Sequence, residues 1–216
     1  MSHVLHYVYD PLCGWCYASH PLIEAVRTVP GLVIQMHPGG MLAYANRQVT
    51  SAPLREFILG HARRITAMTG QRFSPAYTDG LLADPTVIFD SEPPTGAVLA
   101  AVEMGCDGLD VLAHIQKAQY LDGRRVSEPA TLAELAVELG LDRVGFTERL
   151  HYLRGTGVRE HIEQGRRVLR EVGGQGFPTF ALETGGRREL LDNAQWLGRP
   201  DEWRAEIERR VRRANH

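Results

Sequence analysis

Two cysteines three residues apart, Cys13-Gly14-Trp15-Cys16, stand where the chain changes from a strand pattern to a helix pattern. Before them, residues 3–9 are a short aromatic, β-branched and apolar run that reads as a buried strand. Asp10-Pro11 breaks it. Over residues 13–28 the pattern becomes helical, with Cys16, Leu22, Ile23 and Val26 on one side and Pro21 expected to kink the helix. Pro30-Gly31 turns the chain, and residues 32–36 read as a second strand. A β-α-β opening of this kind places the paired cysteines on the first turn of a helix.

That placement decides between two chemistries. A zinc site usually takes four ligands, often from a second CxxC or an HxxxH pair. This chain has three cysteines, no second CxxC, and nine histidines with no ligand-spaced pair near a cysteine. Dithiol–disulfide exchange is the expectation, with no metal. Spacing i, i+3 puts both sulfurs on one side of the helix, near enough to bond. At the helix start, the dipole and free N–H groups favour a thiolate at Cys13. Cys13 is therefore expected to be an exposed nucleophile and Cys16 the shielded resolving thiol. A Cys13 sulfur sealed from solvent, or a distant Pro178, would refute this reading. Trp15 is expected to cap the sulfurs or offer an apolar contact to a substrate. Asp10 reads either as a turn former or as a proton relay, and His20 as a structural histidine. The third cysteine, Cys106, lies in Met104-Gly105-Cys106-Asp107-Gly108 after an apolar helical pattern and reads as a buried or half-buried small hydrophobe.

The middle of the chain reads as helices, over 53–68, 93–105, 109–121, the stretch opened by a capping box at Thr131 and Glu134, and the stretch carrying Phe146, Leu150 and Leu153. Nothing there reads as a strand pair. Val158, Ile162, Gly165, Leu169 and Val172 then make one helical face, in which Gly165 suggests close approach of a neighbour. Gly173-Gly174 ends that helix, residues 178–182 and 189–191 read as strands around a Gly185-Gly186 turn, and a last helix runs over 200–213. The Arg run of this helix alternates with Glu206 and Glu208 and reads as a solvated face. Pro178 opens a strand, where proline leaves neighbouring backbone groups free to pair with another chain.

A net charge of −2 with 23% charged residues is not that of a general polyanion binder, so no nucleic-acid partner is expected. No window approaches the roughly 20 apolar residues of a membrane span. Met1-Ser2-His3 leads straight into the first strand with no secretory pattern, so a cytoplasmic location is expected.

Cys13-Gly14-Trp15-Cys16 at a strand-to-helix turn, Pro21, and Gly176-Phe177-Pro178-Thr179 before a strand resemble the thioredoxin fold. Ile115-Gln116-Lys117-Ala118-Gln119-Tyr120, Gly123, Val126, Leu132, Leu135, Ala136, Gly140-Leu141-Asp142 and the proline-led helix over 91–102 resemble the helical insertion of the DsbA-like superfamily, closest to its FrnE-like branch. The resemblance implies an α/β thioredoxin-like fold with a large all-α insertion, a thioredoxin-like domain of residues 1–40 and 155–216, and an insertion of 41–154. It implies thiol–disulfide oxidoreductase or protein-disulfide isomerase activity, a Cys13 nucleophile, a cis Pro178 facing the sulfurs, and a substrate groove at Trp15, Phe177, Pro178 and Thr179. Disulfide-containing proteins or glutathione are the expected partners, and no cofactor is expected beyond the cysteine pair itself, with glutathione as a possible co-substrate. The periplasmic oxidases of the superfamily carry Pro-His between the cysteines, and Gly14-Trp15 shifts the expectation toward reductase or isomerase roles. A glutathione-dependent isomerase resembling 2-hydroxychromene-2-carboxylate isomerase is the alternative, although those enzymes carry serine at the first cysteine position.

Overall fold

A computed structural model describes residues 3–213. Met1 and Ser2, which entered the reading of the N-terminus, and residues 214–216 of the expected thioredoxin-like domain lie outside them. The chain opens with β1 (His3–Tyr9), α1 (Gly14–Ala18), α2 (His20–Val26) and β2 (Leu32–Pro38). β1 and β2 pair in parallel, as a β-α-β crossover requires. The next elements are β3 (Gln48–Val49), α3 (Ala52–Thr69), β4 (Ile88–Phe89), α4 (Glu92–Glu103), α5 (Gly108–Tyr120), α6 (Pro129–Glu138) and α7 (Arg143–Leu153). The chain then runs through α8 (Thr156–Glu171), β5 (Thr179–Thr184), β6 (Arg187–Leu191) and α9 (Pro200–Arg213). The main sheet has the order β2-β1-β5-β6, with β5 antiparallel to both of its neighbours. This is the expected thioredoxin-like fold with a helical insertion.

Alternation along β1 sends its side chains to two faces. Tyr7 stacks on Phe180 with ring centroids 5.0 Å apart, and Phe180 meets Trp203 of α9 edge-on at 5.8 Å. α2 packs beside α9, and Leu22, Ile23, Val26, Trp203, Ile207 and Val211 are all buried. Burying side chains of this size contributes about 1.5–3 kcal/mol each. The other face carries His6 and is covered by α8. Gly165 explains how closely that helix sits. A Cβ there would fall 2.0 Å from the backbone oxygen of Pro38, so only glycine lets α8 reach the end of β2.

Three local expectations change. The kink at Pro21 is a full break into α1 and α2 at Ser19. Proline has no N–H to give the carbonyl of Tyr17, one turn back, and the side-chain amide of Gln71 donates to that carbonyl at 3.2 Å. The capping box at Thr131 and Glu134 is not formed, because α6 starts earlier, at Pro129, with Glu128 as its cap residue and no side-chain cap bond. Proline at the first helical position is already set for helix and has no N–H to satisfy. Finally, the middle of the chain does hold a strand pair, β3 with β4, of two residues each. Two residues are too few to show an alternating pattern.

Candidate active site

Cys13 is the cap residue of α1, with extended backbone angles, and its carbonyl accepts from the N–H groups of Cys16 and Tyr17 to start the helix. The turn before it is organised by Asp10. This buried carboxylate accepts hydrogen bonds from the Leu12 and Met41 N–H groups and from the Ser91 hydroxyl. It thereby ties the end of β1 to the loop after β2 and to the residue before α4. Burial raises the pKa of Asp10, against the hydrogen bonds and the Arg166 charge, which lower it.

Cys13 and Cys16 are not joined in a disulfide here. Cys16 is 0% exposed, and burial, followed by the nearby Cys13 sulfur, raises its thiol well above the usual range. The Cys13 sulfur donates to the carbonyl oxygen of Phe177 at 3.4 Å. The Phe177–Pro178 peptide bond is cis. Phe177 is seated by Gly39, where a Cβ would meet the phenyl ring at 1.9 Å.

The exposed Cys13 expected from sequence is not what the fold builds. Cys13 is only 4% exposed. It is not sealed, however, because it lines a cavity of about 640 Å³ beside α3 whose lining also includes the exposed residues Asn46, Arg47, Gln48 and Phe57. Trp15 and Phe177 stand between this cavity and a second one of about 310 Å³, which is lined by Pro178, Arg64 and Asn193.

Of the expected site residues, Cys13, Cys16, Trp15, Phe177 and Pro178 come together. Thr179 faces inward: it is buried, donates its hydroxyl to the Gly176 carbonyl at 2.7 Å, and lines neither cavity. Trp15 is held from α3, donating its indole N–H to His61 at 3.1 Å beneath the Arg64 guanidinium. His61 carries no sequence signal, since its role depends on a contact 46 residues away. Tyr120, quoted above only within a likeness, is also a cavity residue. It is buried beside Tyr17, Phe73 and Tyr77, and its hydroxyl has no hydrogen-bond partner among the described residues. His20 sits beside Glu24 at 4.0 Å, and Cys106 is half-buried, as their structural readings require.

The sequence matches no protein-family model and no curated protein. Solved structures do match it over nearly its full length. A cytosolic disulfide reductase, DsbM from Pseudomonas aeruginosa, is 46% identical with a TM-score of 0.90, covering 97% of this chain and 98% of that one. A structure of DsbM with GSH is 45% identical with a TM-score of 0.89, covering 97% and 99%. A 2-hydroxychromene-2-carboxylate isomerase is 15% identical with a TM-score of 0.60, covering 98% and 97%, a likeness of fold alone.

Proposed function

The chain belongs to the DsbA-like superfamily of thiol–disulfide oxidoreductases, and we propose that within it this enzyme is a cytoplasmic disulfide reductase drawing its electrons from glutathione. In this reading Cys13 is the nucleophile, Cys16 the resolving thiol, and Trp15, Phe177 and Pro178 flank the substrate. Residues 1–40 and 155–216 form the exchange domain, and 41–154 form the insertion that roofs it. The single observation that carries the assignment of roles is the difference in burial: Cys16 is 0% exposed, which holds it as a thiol, whereas Cys13 in front of it lines the cavity. The 46% identity to a cytosolic reductase supports the direction and the compartment, and the structure of that relative with GSH supports the reductant.

The steps balance as follows. The Cys13 thiolate attacks one sulfur of the substrate disulfide and expels the other as a thiolate. The Cys16 thiol then attacks the Cys13 sulfur, its proton leaves with the second substrate thiol, and a Cys13–Cys16 disulfide forms. Two glutathione thiols reduce that disulfide and depart as glutathione disulfide, so two electrons pass to the substrate. Having both cysteines favours this cycle over the isomerase alternative, in which glutathione's own thiol is the activated group.

The test couples the purified protein to NADPH, glutathione reductase and glutathione, with a disulfide substrate. Consumption of NADPH by the native enzyme and its loss in Cys13→Ser are expected. A redox titration against glutathione should place the cysteine pair near the thioredoxin value of about −270 mV. A value near the DsbA figure of about −120 mV, or full activity in Cys13→Ser, would overturn the proposal.

A further inference from the structure

The apolar stripe of α3 is only half used. Leu54, Ile58, Ala62 and Ile65 recur at helical spacing, yet of these only Ala62 and Ile65 are buried. An amphipathic helix normally packs such a stripe against its own protein. Leu54 and Ile58 pack against the core in part, and together with Phe57, which is 65% exposed, and with Ala62 and Ile65 they line the 640 Å³ cavity that includes Cys13. Its size is that of a small-molecule site. Tyr120 belongs to the same wall, with its hydroxyl buried and without a hydrogen-bond partner among the described residues.

We propose that this cavity receives the apolar half of a mixed disulfide, so that a good substrate joins an apolar thiol to a hydrophilic one such as glutathione. The inference rests on the reductase reading above and adds the substrate class. Cys13 attacks the sulfur that carries the apolar group, the S–S bond breaks, and glutathione leaves as a thiolate and takes up a proton. Cys16 then attacks the Cys13 sulfur, the apolar thiol departs with the Cys16 proton, and two further glutathione thiols restore the dithiol.

The test uses the full-length double variant Cys16→Ser, Cys106→Ser, in which Cys13 is the sole thiol and the reaction stops at the mixed disulfide, and the disulfide of glutathione with phenylmethanethiol. Intact mass distinguishes a phenylmethylthio adduct from a glutathionyl adduct on Cys13. The ratio of the two is compared with the ratio a free cysteine peptide gives with the same reagent, which removes the intrinsic leaving-group bias. An enrichment of the apolar adduct by about tenfold is expected. Ala62→Phe in the same background, which fills the cavity, should return the ratio to that of the free peptide. Unfolded protein would react at the peptide's ratio, so the Ala62→Phe protein is used only where its circular dichroism and thermal unfolding match those of the parent. A ratio equal to the peptide's, or one unmoved by Ala62→Phe, overturns this inference and leaves the reductase reading standing. No adduct of either kind overturns the reductase reading and this inference with it.

Discussion

The sulfur of Cys13 lies 3.4 Å from the carbonyl oxygen of Phe177, although 164 residues separate them. Two loops make this contact, the one entering α1 and the one entering β5. Gly39, at the end of β2, holds the second loop in place by leaving room for the Phe177 ring. The reacting sulfur, the cis Phe177–Pro178 bond and both cavities therefore meet at one end of the sheet.

The two cysteines should separate by reactivity. Cys16 is fully buried and held as a thiol, whereas Cys13 opens onto the cavity. In the reduced native protein, iodoacetamide at neutral pH should label Cys13 about tenfold faster than Cys16 or more. Time-resolved peptide mapping reads this directly, and faster labelling of Cys16 would reverse the roles.

His61→Ala should remove the 3.1 Å hydrogen bond that ties the Trp15 indole to α3 and leave the Arg64 guanidinium as its contact on that helix. The expected cost is about 1 kcal/mol, or a fall in Tm of about 2–4 °C. Tryptophan fluorescence should shift, and kcat/KM for disulfide reduction should drop while iodoacetamide labelling of Cys13 persists. Unchanged fluorescence and kcat/KM would mean that Trp15 needs no such anchor.

Glycines 165 and 60 should respond in opposite directions. Gly165→Ala drives a Cβ to 2.0 Å from the Pro38 backbone oxygen, so α8 must move off the sheet. A loss of about 1–3 kcal/mol or more is expected in denaturant unfolding. Gly60 lies inside α3 with open space around it, the nearest atom being the tip of Arg63 at 4.0 Å. Gly60→Ala should stabilise the protein by about 0.5–1 kcal/mol.

Stability should weaken in mild acid through His37. Its ring meets His6 at 2.9 Å, and His6 in turn meets Glu183, which Arg188 bridges to Glu171. Burial first, then the His6 and Arg188 charges, push the pKa of His37 down to about 4. Below its ordinary value of 6.5 the unfolded chain takes up a proton that the folded chain refuses. Stability is therefore lost as the pH falls from about 6.5 to about 4 and levels off below that, by about 1 kcal/mol after allowance for partial exposure. In His37→Gln the Tm should fall less steeply across this window. A slope equal to that of the native protein would assign the effect to other groups.

What the amino-acid order determined by itself is local. The strand before Cys13, the helix start at the cysteine pair, the amphipathic face of α8 and the closing β5–β6 hairpin are each set by residues within a turn or two of one another, so periodicity and glycine placement reveal them. The break at Ser19 and the early start of α6 were only partly legible, because one proline alters the backbone by an amount that depends on what satisfies the freed groups. Tertiary structure alone decided how Cys13 is reached, that Thr179 turns inward, that His61 holds Trp15, and that Asp10 joins three loops. Those features depend on contacts between residues far apart in the chain, and the side chains involved look the same in sequence whether they meet a partner or water. Burial and hydrogen-bond pairing belong to the packed molecule, so the chemistry of the cysteine pair was readable from its spacing, while the shape of its access path was not.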